Sequence, residues 1–166
     1  MALVRPKNVP VANLSGVLTN TQLPTLDYTK LPANVPMISM RLTSSKGTGL
    51  IAWDSTIVQQ GITYSSLTKR FTVPRAGKYK INFNGFKGAA YGLGRLAVGL
   101  NSDSPTSSSN IGHIYSDEAS AYDTLVTEVI VTLAANDYFT FCMLEGGLYS
   151  ASNDQFNFMT ANYLGA

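Results

Sequence analysis

The residues able to do chemistry are few and stand far apart. His113 is the only histidine, in Ile111-Gly-His-Ile-Tyr115. A hydrolytic site needs a nucleophile, a base and an orienting group within reach of one another. No recognisable constellation of that kind accompanies His113, and its alternation with Ile111 and Tyr115 makes it a surface or interface ring. Cys142 is the only cysteine, so no disulfide can form within the chain. It lies in Tyr138-Phe-Thr-Phe-Cys-Met-Leu144, where it reads as a small buried hydrophobe. The glycine-rich Gly85–Gly94 lacks the Gly-Lys-Ser/Thr ending of a phosphate loop and is expected to be a loop between strands. Asp103 and the pair Asp117-Glu118 offer oxygen ligands of the kind calcium takes. They lack the dense ladder of carboxylates that holds the ion, so they are expected in solvated loops. Asn13-Leu-Ser15 matches a glycosylation acceptor, which matters only for a secreted chain. The expectation is a protein without enzymatic activity, cofactor or metal.

Composition narrows the partners. Charged residues make up 13% of the 166-residue chain, about half the usual share. The net charge of +2 carries no clustered basic face, so nucleic acid is not an expected partner. No apolar run reaches the ~18 residues of a membrane span. Met1 to Val11 has prolines at 6 and 10 and no apolar core of a signal peptide, so assembly in a cytoplasm is expected.

What positions any site here must be a β framework. From residue 37 onward, short segments alternate or run apolar between turn signals: Met37–Thr43, Gly49–Trp53, Thr56–Gln60, Phe71–Val73, Lys78–Phe86, Leu93–Asn101, Ile111–Tyr115, Thr124–Leu133, Tyr138–Glu145 and Gln155–Leu164. About eight to ten strands at such spacing predict an all-β antiparallel sandwich or barrel. In Lys78–Phe86, Tyr79, Ile81 and Phe83 share one parity and are expected in the core, with Lys78 and Lys80 outward. Phe71–Val73, Pro74 and Gly77 precede it and read as the other half of a hairpin nucleus.

Two strands break the one-face rule. Thr124–Leu133 has Val126 and Ile130 on one parity and Leu125, Val129, Val131 and Leu133 on the other. Tyr138–Leu144 likewise sets Phe139, Phe141 and Met143 opposite Tyr138, Cys142 and Leu144. Either these strands are central or their outer faces meet another subunit, and the second reading predicts a homo-oligomer.

Residues 1–36 form a separate region. Five of the seven prolines fall there, at 6, 10, 24, 32 and 36. Between them are Leu3, Val9, Val11, Leu14, Val17, Leu18, Leu23, Leu26 and Leu31. Proline holds its predecessor extended, and an extended stretch of this length reaches on the order of 100 Å. So many apolar residues do not suit a flexible linker. The region is expected to be an anchoring arm whose apolar side chains lie on another surface.

The body, residues 37–166, resembles the C1q/TNF-like jelly roll. The marks are Phe71-Thr-Val-Pro-x-x-Gly77-x-Tyr79, Leu96-x-Val-x-Leu-Asn101, Val129-x-Val-x-Leu-Ala-Ala-Asn-Asp137-Tyr and Phe156-x-Phe-x-Thr-x-x-Tyr163-Leu-Gly165. Asn136 stands where the family usually has glycine. The resemblance implies a compact homotrimer with strand faces and the closing strand near its axis. On that footing the trimer interface is expected to use Val126, Ile130, Phe139, Phe141, Met143, Phe156, Phe158 and Tyr163.

The arm, with Asn13-Leu-Ser-Gly-Val-Leu-Thr-Asn-Thr-Gln-Leu-Pro24 and Leu26-Asp-Tyr-Thr-Lys-Leu-Pro32, is similar to segments of tailed-phage fibre and appendage proteins. Together the two resemblances imply a phage virion protein. The first expectation is a capsid decoration, or cement, protein attached through the arm to the major capsid protein or another virion protein. The alternative is a trimeric head or tail fibre whose loops Gly85–Gly94, Asn101–Asn110 and Glu145–Asn153, with Tyr91, Tyr115 and Tyr149, bind a host cell-surface glycan.

Overall fold

A computed structural model describes residues 35–105, 109–117, 122–150 and 156–166. The arm anchors Leu3 to Leu31, together with Glu118, lie outside the described residues. Eleven strands are described: β1 (Met37–Arg41), β2 (Gly49–Leu50), β3 (Ser55–Gln60), β4 (Thr63–Ser65), β5 (Arg70–Thr72), β6 (Gly77–Lys87), β7 (Gly94–Leu100), β8 (Asn110–Ser116), β9 (Asp123–Leu133), β10 (Tyr138–Glu145) and β11 (Phe158–Gly165).

Every pairing between them is antiparallel. The first sheet runs β3-β1-β11-β6-β9; the second runs β4-β5-β10-β7-β8, with β2 pairing β10 beside this path. This is the all-β antiparallel sandwich that the alternation predicts, in the jelly-roll form that the resemblance implies. β4 escaped the sequence reading because three residues are too few to show a period.

The core lies between the sheets. Tyr79, Ile81 and Phe83 of β6 are fully buried in it, while Lys78 is exposed and Lys80 half-buried. Opposite them, Phe71 stacks on Phe139 at 5.0 Å, and Phe141 meets Phe71, Phe83 and Trp53. Burying each such ring contributes roughly 1.5–3 kcal/mol.

The stretch 70–87 corrects one expectation. β5 and β6 do not form a hairpin: β5 pairs with β4 and β10, and β6 with β11 and β9. Both strands turn apolar side chains inward, Phe71 and Val73 from one and Tyr79, Ile81 and Phe83 from the other. The chain therefore crosses the core from one sheet to the other. Pro74, which has no amide hydrogen to give a ladder, stands at the crossing. Gly77 completes it at φ +145°, where a Cβ would strike the Tyr163 ring. Asn136 adopts φ +70°, a backbone region asparagine tolerates better than most residues. That is how it can stand where a glycine is usual.

Candidate functional site

The two strands with apolar residues on both parities have opposite surroundings. β10 is central in the second sheet, and Phe139, Phe141 and Met143 are buried in the subunit's own core. Their expected place in a trimer interface is therefore corrected. The other side of β10 is covered too: Thr140 is buried and its hydroxyl donates to the Ser102 carbonyl. Cys142, also buried, has its thiol pKa pushed up by desolvation. β9, by contrast, is the edge of the first sheet. Val126 and Ile130 are 58% and 62% exposed on its outer side, while Leu125 and Leu133 are buried on its inner side.

The ladder registers define the rest of that outer face. One row runs Arg41, Phe158, Asn84, Val126. The next runs Val58, Ser39, Thr160, Asn82, Glu128, and the third Gln60, Met37, Asn162, Lys80, Ile130. Val58 and Phe158 are exposed on it. Asn82 donates to the Thr160 hydroxyl, and Arg41 to that of Ser55. Lys80 and Glu128 pair at 2.7 Å, so their charges cancel locally. A solvated sheet face ordinarily alternates charged residues with the buried ones. This face mixes the exposed Val58, Val126, Ile130 and Phe158 with amides, hydroxyls, Arg41 and the paired Lys80 and Glu128.

The remaining expected interface residues divide. Tyr163 faces inward: it packs edge-on against Tyr79 at 5.3 Å, with the Arg75 guanidinium 4.1 Å over its ring. A bulge at Tyr163/Gly165 shifts the register there. Phe156 belongs to a second feature, an aromatic cluster at one end of the sandwich. Phe86 stacks on Tyr122 at 5.4 Å and lies 5.2 Å from Phe156; Tyr149 meets Tyr122 at 5.2 Å and Phe156 at 6.1 Å. The Tyr91 ring lies over Gly147, where a Cβ would collide with it, and close to Gly88, where a Cβ would fit only tightly.

The platform beneath these rings is well tied. The Phe86 amide donates to the side-chain oxygen of fully buried Asn157, whose side-chain amide donates to the Tyr149 carbonyl. The Tyr149 amide donates to the Phe86 carbonyl at 2.7 Å. Lys87 is buried and donates to the Gly92 carbonyl. Asp123, its register partner, has its carboxyl pKa lowered by hydrogen bonds from the Ser116 hydroxyl and then the Thr124 amide.

Of the three expected recognition loops, the first and third meet at this end. Gly85 and Gly94 themselves belong to β6 and β7, which shortens the first loop to 88–93. The second loop goes to the opposite end, where Asn101 bonds the Tyr138 amide and the Asp137 side chain. Tyr149 joins the aromatic cluster and Tyr91 lies over the nearby Gly147, whereas Tyr115 is exposed on the outer side of the second sheet, in register with Arg95. Sequence reasoning missed Phe86 and Tyr122. Phe86 was visible only as the outward parity at the end of a strand, and Tyr122 stands next to a polar loop.

His113 is exposed, and Arg95 donates to its ring at 3.3 Å. Asp103 is engaged by the Arg70 guanidinium, which lowers its pKa. Among the described residues, no group of three His, Cys, Asp or Glu side chains could hold a metal ion.

The fold is similar to the C1q/TNF-like jelly roll. The chain is similar in structure to Eiger TNF from S. frugiperda, with TM-score 0.62 and 11% identity over 79% of this chain and 93% of that one. Murine APRIL gives TM-score 0.62 and 11% identity over 78% and 99%. The globular domain of zebrafish complement 1qA gives 0.55 and 14% over 78% and 95%. No family model and no curated protein sequence matches the chain.

Proposed function

We propose that the chain is a structural protein of a phage virion, a homotrimeric decoration protein that attaches to the capsid through residues 1–36 and stabilises it. The observation that carries the assembly half is the bare outer face of the first sheet, where Val126, Ile130, Val58 and Phe158 stand exposed beside a self-cancelling ion pair. A second copy covering this face buries them. The attachment half rests on the arm sequence, with its proline-spaced leucines and valines and its similarity to phage appendage segments. Such a protein is made in the host cytoplasm and ends on the capsid surface.

Deletion of residues 1–30 tests the attachment. The truncated protein is expected to remain a trimer and to lose binding to particles that lack the native protein. Unchanged occupancy on those particles refutes the anchoring role. Copy number separates this reading from a fibre: hundreds of copies per particle mean decoration, a few dozen or fewer mean an appendage.

A further inference from the structure

We propose that the Lys80–Glu128 ion pair gates assembly: it is buried in the seam between copies of the chain, and the seam tolerates both charges or neither, but not one. This rests on the assembly reading above, in which a second copy covers the outer face of the first sheet. Glu128 sits between Val126 and Ile130 on the same side of β9, two residues from each. Side chains two apart on a strand are separated by only ~7 Å. No protein surface can cover the exposed Val126 and Ile130 and leave Glu128 in water. Lys80 is drawn in with it, because it is the register partner of Ile130 on β6. The two charges meet at 2.7 Å across the diagonal of the ladder, and in the separate subunit their side chains are 36% and 51% exposed. Assembly therefore takes a solvated pair and buries it.

Burial changes what such a pair is worth. An exposed pair contributes little to stability. Once covered, each ion loses its water, and the mutual attraction does little more than offset that loss. Removing one member is far worse, because the other is then buried without a counter-charge. Removing both leaves nothing to desolvate. The neighbours suit a covered pair. Asn162 is the register partner of Lys80, and Asn82, the register partner of Glu128, donates to the Thr160 hydroxyl. These groups offer hydrogen bonds to the ammonium protons and carboxylate lone pairs that the pair itself does not use. The charge pattern also favours a second copy as the occupant. The pair cancels within one subunit, so this part of the face presents no net charge for an oppositely charged partner to match. Arg41 lies on the same face but three strands from β9, with its Nε bonded to the Ser55 hydroxyl. Identical faces can therefore meet over β6 and β9 without repelling one another.

The test is a mutant cycle on the full-length protein. Subunit dissociation is read by sedimentation equilibrium over a dilution series, in urea held below the unfolding transition, with circular dichroism checking that each variant is folded. Glu128→Gln and Lys80→Met are each expected to weaken association about tenfold or more. Lys80→Met/Glu128→Leu is expected to associate within about threefold of the parent, or more tightly, because no charge is then buried. Glu128→Asp keeps the charge and is expected to lose less than Glu128→Gln. Single variants within about twofold of the parent overturn the proposal, since that is how a pair left in water behaves. A double variant as weak as the two single losses combined overturns it too, because each charge then attracts the neighbouring copy on its own account. A monomeric parent removes the assembly reading and the proposal together. An associated parent with indifferent single variants removes the proposal alone.

Discussion

β9 and β10 have the same pattern in sequence and opposite fates in the fold. Each carries apolar residues on both parities. β10 is central, with Phe141 and Met143 buried on one side and Thr140 and Cys142 on the other. β9 is an edge strand whose outer valine and isoleucine are left bare. A two-sided apolar strand is therefore not by itself a sign of an interface. Its neighbours in the sheet decide, and those neighbours are set by residues far away in sequence. The difference also sorts the energetics: truncation in β10 should cost the subunit its stability, while substitution on the outer side of β9 should cost only assembly.

The sharpest contrast comes from Phe141→Ala. It removes a ring packed against Phe71, Phe83, Phe139 and Trp53, and chemical denaturation is expected to show a loss of about 3–5 kcal/mol. A loss below about 1 kcal/mol would mean that β10 is not core. Gly77→Ala should follow at about 1–3 kcal/mol, because it strains a backbone at φ +145° and crowds Tyr163. Val126→Lys and Ile130→Lys are expected to leave the denaturation of isolated subunits within about 0.5 kcal/mol of the parent. A large subunit destabilisation there would erase the distinction between the two strands.

Cys142 gives a kinetic form of the same comparison. Its buried thiol, with raised pKa, is expected to react with a thiol reagent only after unfolding, and rapid labelling of the native protein would mean that β10 is open on its outer side. The smallest effect concerns pH. Asp103 and Asp54 both have lowered folded-state pKa values. For Asp103 the chief cause is the Arg70 hydrogen bond; for Asp54 burial opposes the shift, and bonds from Lys46, Thr43 and Ser44 outweigh it. Each contributes stability that is present above the unfolded carboxyl pKa of about 3.9 and lost as pH falls through the lower folded value. Both are largely exposed, so Asp103→Asn should only slightly flatten the acid limb of the stability profile.

The fold was readable where period and burial agree. Tyr79, Ile81 and Phe83 alternate with lysines and asparagines, and they are core. What could not be read is which strand neighbours which. Phe71–Val73 and Tyr79–Phe83 are adjacent in sequence, and their shared apolar inward faces look the same whether they pair in one sheet or face one another across the core. The same blindness placed Phe139, Phe141 and Met143 at an interface. Tyr163 shares the inward parity of Met159 and Ala161 but is only half-buried, at the bulge that ends the strand. The aromatic end was half visible through Tyr91 and Tyr149. Phe86 and Tyr122 join them only because β6 and β9 end together.

The account's central claim is that the outer face of the first sheet is covered by further copies of the chain. Multi-angle light scattering of the purified protein tests it most directly, with Val126→Lys/Ile130→Lys beside the parent. The account predicts a parent of three times the 17.8 kDa chain mass and a double variant that falls to the mass of one folded chain. A monomeric parent, or a double variant that remains a full-strength trimer, would contradict it.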